Sequence, residues 1–255
     1  MSAAQLLEKL IRSSLPHVTY IRKFGENPDI DTADGVVDVW NFPTAKTYTF
    51  SSSADIDTVS SSNAGDTDDL TVFGLDTNWE AVTQTVTMTG QTKVTLTTPL
   101  IRVYRMVWRG AADAVGNIYC YVDGAITGGV PDTAADVRAY IAAGDNQTLM
   151  GIYTIPANWT AFALGLTASL SKSPTGAGAR VITKARPFGE SFQIKSSAYL
   201  SGAGSSAYTP SFEIPVEVPA KTDLIASASV AANGTGVAGS FELVLVKTSV
   251  IGDLL

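Results

Sequence analysis

Ala81-Val82-Thr83-Gln84-Thr85-Val86-Thr87-Met88, then Lys93-Val94-Thr95-Leu96-Thr97, then Ile101-Arg102-Val103-Tyr104-Arg105-Met106-Val107-Trp108: this run decides the fold. Larger and smaller or polar side chains alternate along it with a period of two, the signature of strands with one face on a core and the other in water. Threonine fills many of the outward positions, which suits a half-buried pleated surface. Thr89-Gly90-Gln91 and Pro99 punctuate the run, and Gly110 to Asn117 leads on to Ile118, Cys120 and Val122. Read locally, Asp66 to Asp123 is an antiparallel meander, and the protein is all-β.

The same alternation recurs outward in both directions. Upstream, Val36 to Trp40 and Lys46 to Phe50 are strand-like and precede a Ser/Asp-rich patch from Ser51 to Asp69. Downstream, Phe162, Leu164, Leu166, Ala168 and Leu170 are expected to share one face, buried with Val103, Val107, Leu243 and Leu245. Gly165, Thr167 and Ser169 lie opposite. Arg180 to Arg186, Phe192 to Leu200, Phe212 to Val218, Leu224 to Val230 and Phe241 to Val246 complete the set, with an Asn233-Gly234 turn before the last strand. Between Gly124 and Gln147 one short helix is expected, capped at Asp132 or Thr133, lined by Val137 and Tyr140 and ended by Gly144. Many short strands at regular spacing indicate an antiparallel β-sandwich or jelly-roll-like fold.

Two segments at the N-terminus stand apart. In residues 2–15, Leu6, Leu7, Leu10 and Ile11 recur at helical spacing, and Pro16 stops the pattern. So short an amphipathic helix needs a surface to pack on. From His17 to Thr32 turn-formers break the pattern, which suggests an extended arm that meets a partner. The organisation expected is therefore an N-terminal helix and attachment arm over 1–32 and a sandwich domain over 33–255, with a possible subdivision near 144. Leu6, Leu7, Leu10, Ile11, Phe24, Asn27 and Pro28 are the candidate partner-docking residues.

Composition narrows the function. The chain of 255 residues has 45% hydrophobic and only 16% charged residues, enough to bury a sizeable core. A net charge of −7 with no basic cluster argues against a nucleic-acid partner. No apolar run is long enough for a membrane helix, and no basic-then-apolar leader opens the chain, so a protein in solution with no membrane partner is expected. The one cysteine, Cys120, excludes an intrachain disulfide and a multi-cysteine zinc site, and its strand position makes it a core thiol.

Chemistry-bearing patterns are sparse. The single histidine, His17, lacks a G-x-S-x-G serine to pair with, and the Gly-rich stretches at 124–129 and 176–178 lack the Lys-Ser/Thr ending of a phosphate loop. Asp29, Asp31 and Asp34 only partly match a calcium loop, since no glutamate closes the ligand set; they suit a solvated turn. Asp68/Asp69 and Glu213/Glu217 read more simply as wet faces of strands and turns than as a glycosidase pair. Trp79, Tyr104, Trp108 and Trp159 suit either a sugar platform or a core. No catalytic residue, metal ligand or cofactor is expected from these patterns.

Ordered motifs add a resemblance. Phe24-Gly25-x-Asn27-Pro28-Asp29-Ile30-Asp31-Thr32, Val39-Trp40, Tyr48-x-Phe50, Gly74-Leu75-Asp76, Gly90-Gln91-Thr92 and Arg102-x-x-Arg105 come first. Ala185-Arg186-Pro187-Phe188, Pro219-Ala220-Lys221-Thr222-Asp223 and Gly239-Ser240-Phe241-x-Leu243-x-Leu245-Val246 follow. In this order, across residues 24–246, they resemble a family of tailed-bacteriophage virion structural proteins. The chain departs from the family at Asn41-Phe42-Pro43, where glycines are frequent. The resemblance implies a non-enzymatic particle component, on the head or the tail, that contacts other virion proteins; the expectation adopted is a capsid decoration, cement or head-fibre protein assembled in the host cytoplasm. It also implies a homo-oligomer, a trimer above all. The small uncharged residues opposite the leucine face independently suggest some symmetric contact. The alternative is a tail-fibre or knob module that recognises host-surface glycan.

Overall fold

A computed structural model describes residues 16–44, 46–202 and 207–253. The helix expected over 2–15, with Leu6, Leu7, Leu10 and Ile11, lies outside the described residues. Among those described, the strands in chain order begin with β1 (Val18–Ile30) and β2 (Val37–Asp38). Next come β3 (Ile56–Ser61), β4 (Asp69–Leu75), β5 (Ala81–Thr87), β6 (Val94–Leu100), β7 (Arg102–Trp108) and β8 (Ile118–Val122). After them run β9 (Ile126–Thr127), β10 (Val130–Pro131), β11 (Val137–Ile141) and β12 (Ile152–Thr154). The long strands close the chain: β13 (Trp159–Lys172), β14 (Gly178–Pro187), β15 (Gln193–Ser201), β16 (Ala207–Tyr208), β17 (Ser211–Val218), β18 (Thr222–Val230) and β19 (Thr235–Lys247). Three 3-10 turns, Thr32–Asp34, Ala134–Asp136 and Thr248–Asp253, are the helical elements described.

The strands make two sandwiches. In the first, the sheet β11-β8-β3-β6 packs on the sheet β5-β4-β7. Its core holds Ile56, Leu70, Val72, Met88, Leu100, Met106, Ile118, Cys120 and Ile141, each under 2% exposed. In the second, β1-β19-β13 extended by β16 and β17 packs on β12-β18-β14-β15, with β2 also on β18. Leu243, Leu245, Phe241, Val181 and Ala228 fill it. The first sandwich is an insertion between β2 and β12, and every strand pairing is antiparallel.

The run from Ala81 to Trp108 does form strands, but not a meander. β5 pairs with β4, β6 with β3 and β7 with β4, so successive strands pass from one sheet to the other. The tight turn at Gly90, with φ of 60°, and the switch at Leu100–Ile101 carry the chain across. Gln84 ties β5 to β6 away from the turn: its Nε2 donates to Thr98 O at 2.9 Å, and its Oε1 accepts from Thr98 N at 3.0 Å. Local alternation specifies a strand, whereas which strand it pairs with is decided by the whole core.

Three further expectations are corrected. The helix expected near Val137 and Tyr140 is a single 3-10 turn followed by β11, in which every residue is buried. A short run buried on both faces, Arg138 included, carries no periodicity that separates strand from helix, and its Val, Tyr and Ile favour the strand. The arm expected from His17 to Thr32 is instead β1, hydrogen-bonded to β19 from Val18↔Val246 to Ile30↔Thr235. Pro28 is tolerated because β1 is an edge strand and the register shifts there. Finally, Phe162 and Leu166 do not share a face. On β13, Ala163 pairs with Leu243 and Gly165 with Glu242, so Leu164 is an extra residue and the alternation inverts. Ala161 and Ala163 face the core before the bulge, Leu166 and Ala168 after it. Val103 lies in the first sandwich's core and Leu243 and Leu245 in the second's, so they are not buried together.

Candidate functional site

Three places hold polar or exposed residues that the fold alone does not require. The first is the joint between the sandwiches. β7 of the first sandwich sends Arg102 into β18 of the second: Nε lies 2.8 Å from Asp223 Oδ1 and Nη2 3.0 Å from Oδ2. Arg186 on β14 donates to the same Oδ2 from Nη2 at 2.6 Å, and Thr154 Oγ1 donates to Oδ1 at 2.6 Å. Arg102 Nη1 reaches the carbonyls of Ser51 at 2.5 Å and Ile101 at 2.8 Å. Phe50 lies under both guanidiniums, 5.1 Å from Arg102 and 4.8 Å from Arg186, and Trp79 stacks on Arg102 at 4.8 Å. Asp223 is fully buried and Arg102 is 3% exposed. Charges so enclosed, with their hydrogen bonds met, act as a clamp rather than a reacting centre.

Sequence reading left this cluster unnoticed, although its residues sit inside quoted motifs: Tyr48-x-Phe50, Arg102-x-x-Arg105, Ala185-Arg186 and Thr222-Asp223. A single sequence shows each charge alone, and nothing in the spacing 102, 186 and 223 pairs them. Residues of four separated motifs therefore meet at one joint.

The second place is β1. Its inward positions are buried where it crosses β2 and β12: a Cβ on Gly25 would stand 2.1 Å from Gly151 N, so only glycine fits. Asn27 is also buried, and its Nδ2 donates to Asp38 O at 3.2 Å. Asp38 in turn accepts from Ser227 Oγ at 2.6 Å and from Tyr48 N at 2.8 Å. Asn27 thus fastens β1 to β2 and offers no surface to a partner. Phe24 is 41% exposed and Pro28 is exposed, while Lys23, next to Phe24, is buried and donates to Tyr104 O. Burial, with Arg105 nearby, brings the Lys23 ammonium down to about 7.

The acidic residues after β1 tie turns together. Asp31 Oδ1 accepts from Gly234 N at 2.8 Å, and Asp34 Oδ2 accepts from Asp31 N and from Lys46 Nζ, both at 2.7 Å. The Lys46 bond holds the Asp34 carboxyl below its usual range. Among the described residues no cluster of His, Cys, Asp and Glu has the arrangement of a metal site. Cys120 is fully buried, and burial pushes its thiol up. Trp79 and Trp108 are core residues at 5% and 7% exposure, and Tyr104 and Trp159 are half-buried, so these four present no open platform.

The third place is the side of the second sandwich where β15 ends one sheet and β17 the other. Four of the ten exposed large apolar side chains among the described residues lie on these two strands, Ile194 and Tyr199 on β15 and Ile214 and Val216 on β17. Between the two rims an apolar cleft of about 240 Å³ opens toward Leu166, Phe241 and Leu243. Thr222 lines it, 1% exposed, with no partner for Oγ1 among the described residues. Lys195 stands on the β15 rim and Glu217 on the β17 rim.

No protein-family model and no curated protein matches the chain. Among solved structures, the infectious bursal disease virus Gx strain is similar at 10% identity and a TM-score of 0.26, over 96% of this chain and 78% of that one. The infectious bursal disease virus VP2 subviral particle is similar at 10% identity and a TM-score of 0.25, over 94% and 77%. TM-scores this low establish neither a shared fold nor a shared function.

Proposed function

We propose that the chain is a non-enzymatic structural component of a bacteriophage virion, a head decoration, cement or head-fibre protein that docks on other virion proteins and repeats as a homo-oligomer. The observation that carries the assembly part is the concentration of exposed apolar side chains on β15 and β17, the strands that end the two sheets of the second sandwich. Val216, 48% exposed, lines an open cleft, and Ile194 and Ile214 are exposed on the two strands that border it, whereas a freely dissolved monomer rarely exposes a large apolar patch. The phage part rests on the ordered motifs, of whose charged residues Arg102, Arg186 and Asp223 meet in the buried clamp between the sandwiches. A trimer is the favoured oligomer on the same resemblance. Docking is assigned to Leu6, Leu7, Leu10 and Ile11 together with the exposed Phe24 and Pro28 of β1; Asn27 holds β1 in place instead.

Mass spectrometry of purified particles of the phage that encodes the chain tests this reading. The protein is expected in them at high copy number, and removal of residues 1–15 is expected to abolish incorporation while circular dichroism still reports a folded β protein. Absence from the particles overturns the virion assignment. Low copy number with binding of the isolated protein to host polysaccharide would point to a tail-fibre knob instead.

A further inference from the structure

The open side of the second sandwich has two unpaired rims of opposite charge with an apolar cleft between them. We infer that this side is where copies of the chain meet, the β15 rim of one copy lying against the β17 rim of the next, around an axis running along the strands. The inference rests on the assembly reading above and names the surface and the partner.

Both rims are sheet ends: β15 is bonded only to β14, and β17 only to β13, among the described residues. Unpaired strand edges beside exposed apolar side chains are the feature that recruits another chain. The apolar side chains also settle the size of the occupant. Val216, 48% exposed, lines the cleft, and Ile194 and Ile214, 54% and 83% exposed, stand on the two strands that border it. A small molecule sunk between the sheets would leave them in water, whereas a protein edge would cover them all.

Charge complementarity selects a second copy. Lys195 rises from the β15 rim, and Glu217, with no ion-pair partner among the described residues, from the β17 rim. A rotation about an axis along the strands sets each copy's Lys195 against the next copy's Glu217 and closes a ring. Pro215 interrupts the donors of β17, so the contact is led by side chains rather than by a continuous ladder.

Sedimentation equilibrium on the full-length chain, from low micromolar to near-millimolar concentration, tests it. Wild type is expected to associate. Lys195→Glu and Glu217→Lys are each expected to weaken association by roughly tenfold or more, since each sets like charges together. The double variant carrying both changes restores complementarity in every contact and is expected to recover most of the loss. Ile214→Asp is expected to leave a monomer with an unchanged thermal melt, because the side chain is exposed in the single chain. A double variant no better than the single ones overturns the proposal, and so does a wild type that is monomeric throughout. A monomeric wild type that self-associates once residues 1–15 are removed would assign the cleft to the chain's own N-terminus, also against the proposal. The virion reading fails separately, by absence from purified particles, and leaves this association measurement intact.

Discussion

Lys23 carries its ammonium into the interior between β1 and β7, where the acceptor it finds is the backbone oxygen of Tyr104 and the nearby charge is the like charge of Arg105. Burial disfavours the charged form, so the folded value of about 7 lies below the ordinary 10.5. Between those two values the unfolded chain holds a proton that the folded chain lacks, and stability therefore rises with pH across that window. Below it both states are protonated and the full cost of burying the charge is present; above it both are neutral and the cost is gone. Lys23→Met removes the charge in both states. It is expected to be more stable than wild type by a few kcal/mol near pH 6, with the difference shrinking steadily toward pH 10. Urea midpoints at intervals across that range measure it, and a difference that does not change with pH would show that the ammonium is solvated in the folded chain.

At the scale of the element, β13 shows both what alternation reveals and what it hides. Its strand character was plain from Phe162 to Leu170, but the extra residue at the Ala163–Gly165 bulge exchanges the two faces. Leu166 faces the core and Leu164 does not, although the two are a single period apart. Leu166→Ala is expected to cost about 2–5 kcal/mol, toward the low end because the side chain borders the cleft, and Leu164→Ala about 1 kcal/mol or less. Chemical denaturation of the pair decides it; equal costs would mean that the alternation runs unbroken through the bulge. A bulge leaves no mark in a single sequence except a permissive glycine, here Gly165, and β7 hides another at Tyr104, opposite Phe73 and Gly74. The strands themselves were legible because period-two patterning is local. The long pairing of β1 with β19 was not, because Asn27-Pro28-Asp29 reads as a turn until its distant partner is known. The clamp was hidden for the same reason: its three charges come from three strands scattered across the two sandwiches.

For the whole molecule, the question is whether the two sandwiches stand or fall together. The core of the first includes Ile152 of β12 and Ile225 of β18, along with Trp40 and Met150, so its packing is completed by residues the second sandwich holds in place. Arg102 adds a buried ionic contact between them, with both oxygens of Asp223 engaged. Shared apolar packing and a shared buried charge make partial unfolding costly, since opening the joint exposes the one and strands the other. A single cooperative transition is therefore expected despite the length of the chain. Two tryptophans make it measurable: Trp108 lies in the core of the first sandwich, and Trp159 packs against that of the second. Variants that keep only one of them should give denaturation curves with the same midpoint. Arg102→Met strands Asp223 with Arg186 and Thr154 as its remaining partners, and is expected to lower stability by about 3–5 kcal/mol while both curves move together. Separate midpoints in the otherwise unaltered chain would show that the inserted sandwich folds on its own. Midpoints that separate only in Arg102→Met would show that the clamp, rather than the shared apolar core, couples the two halves.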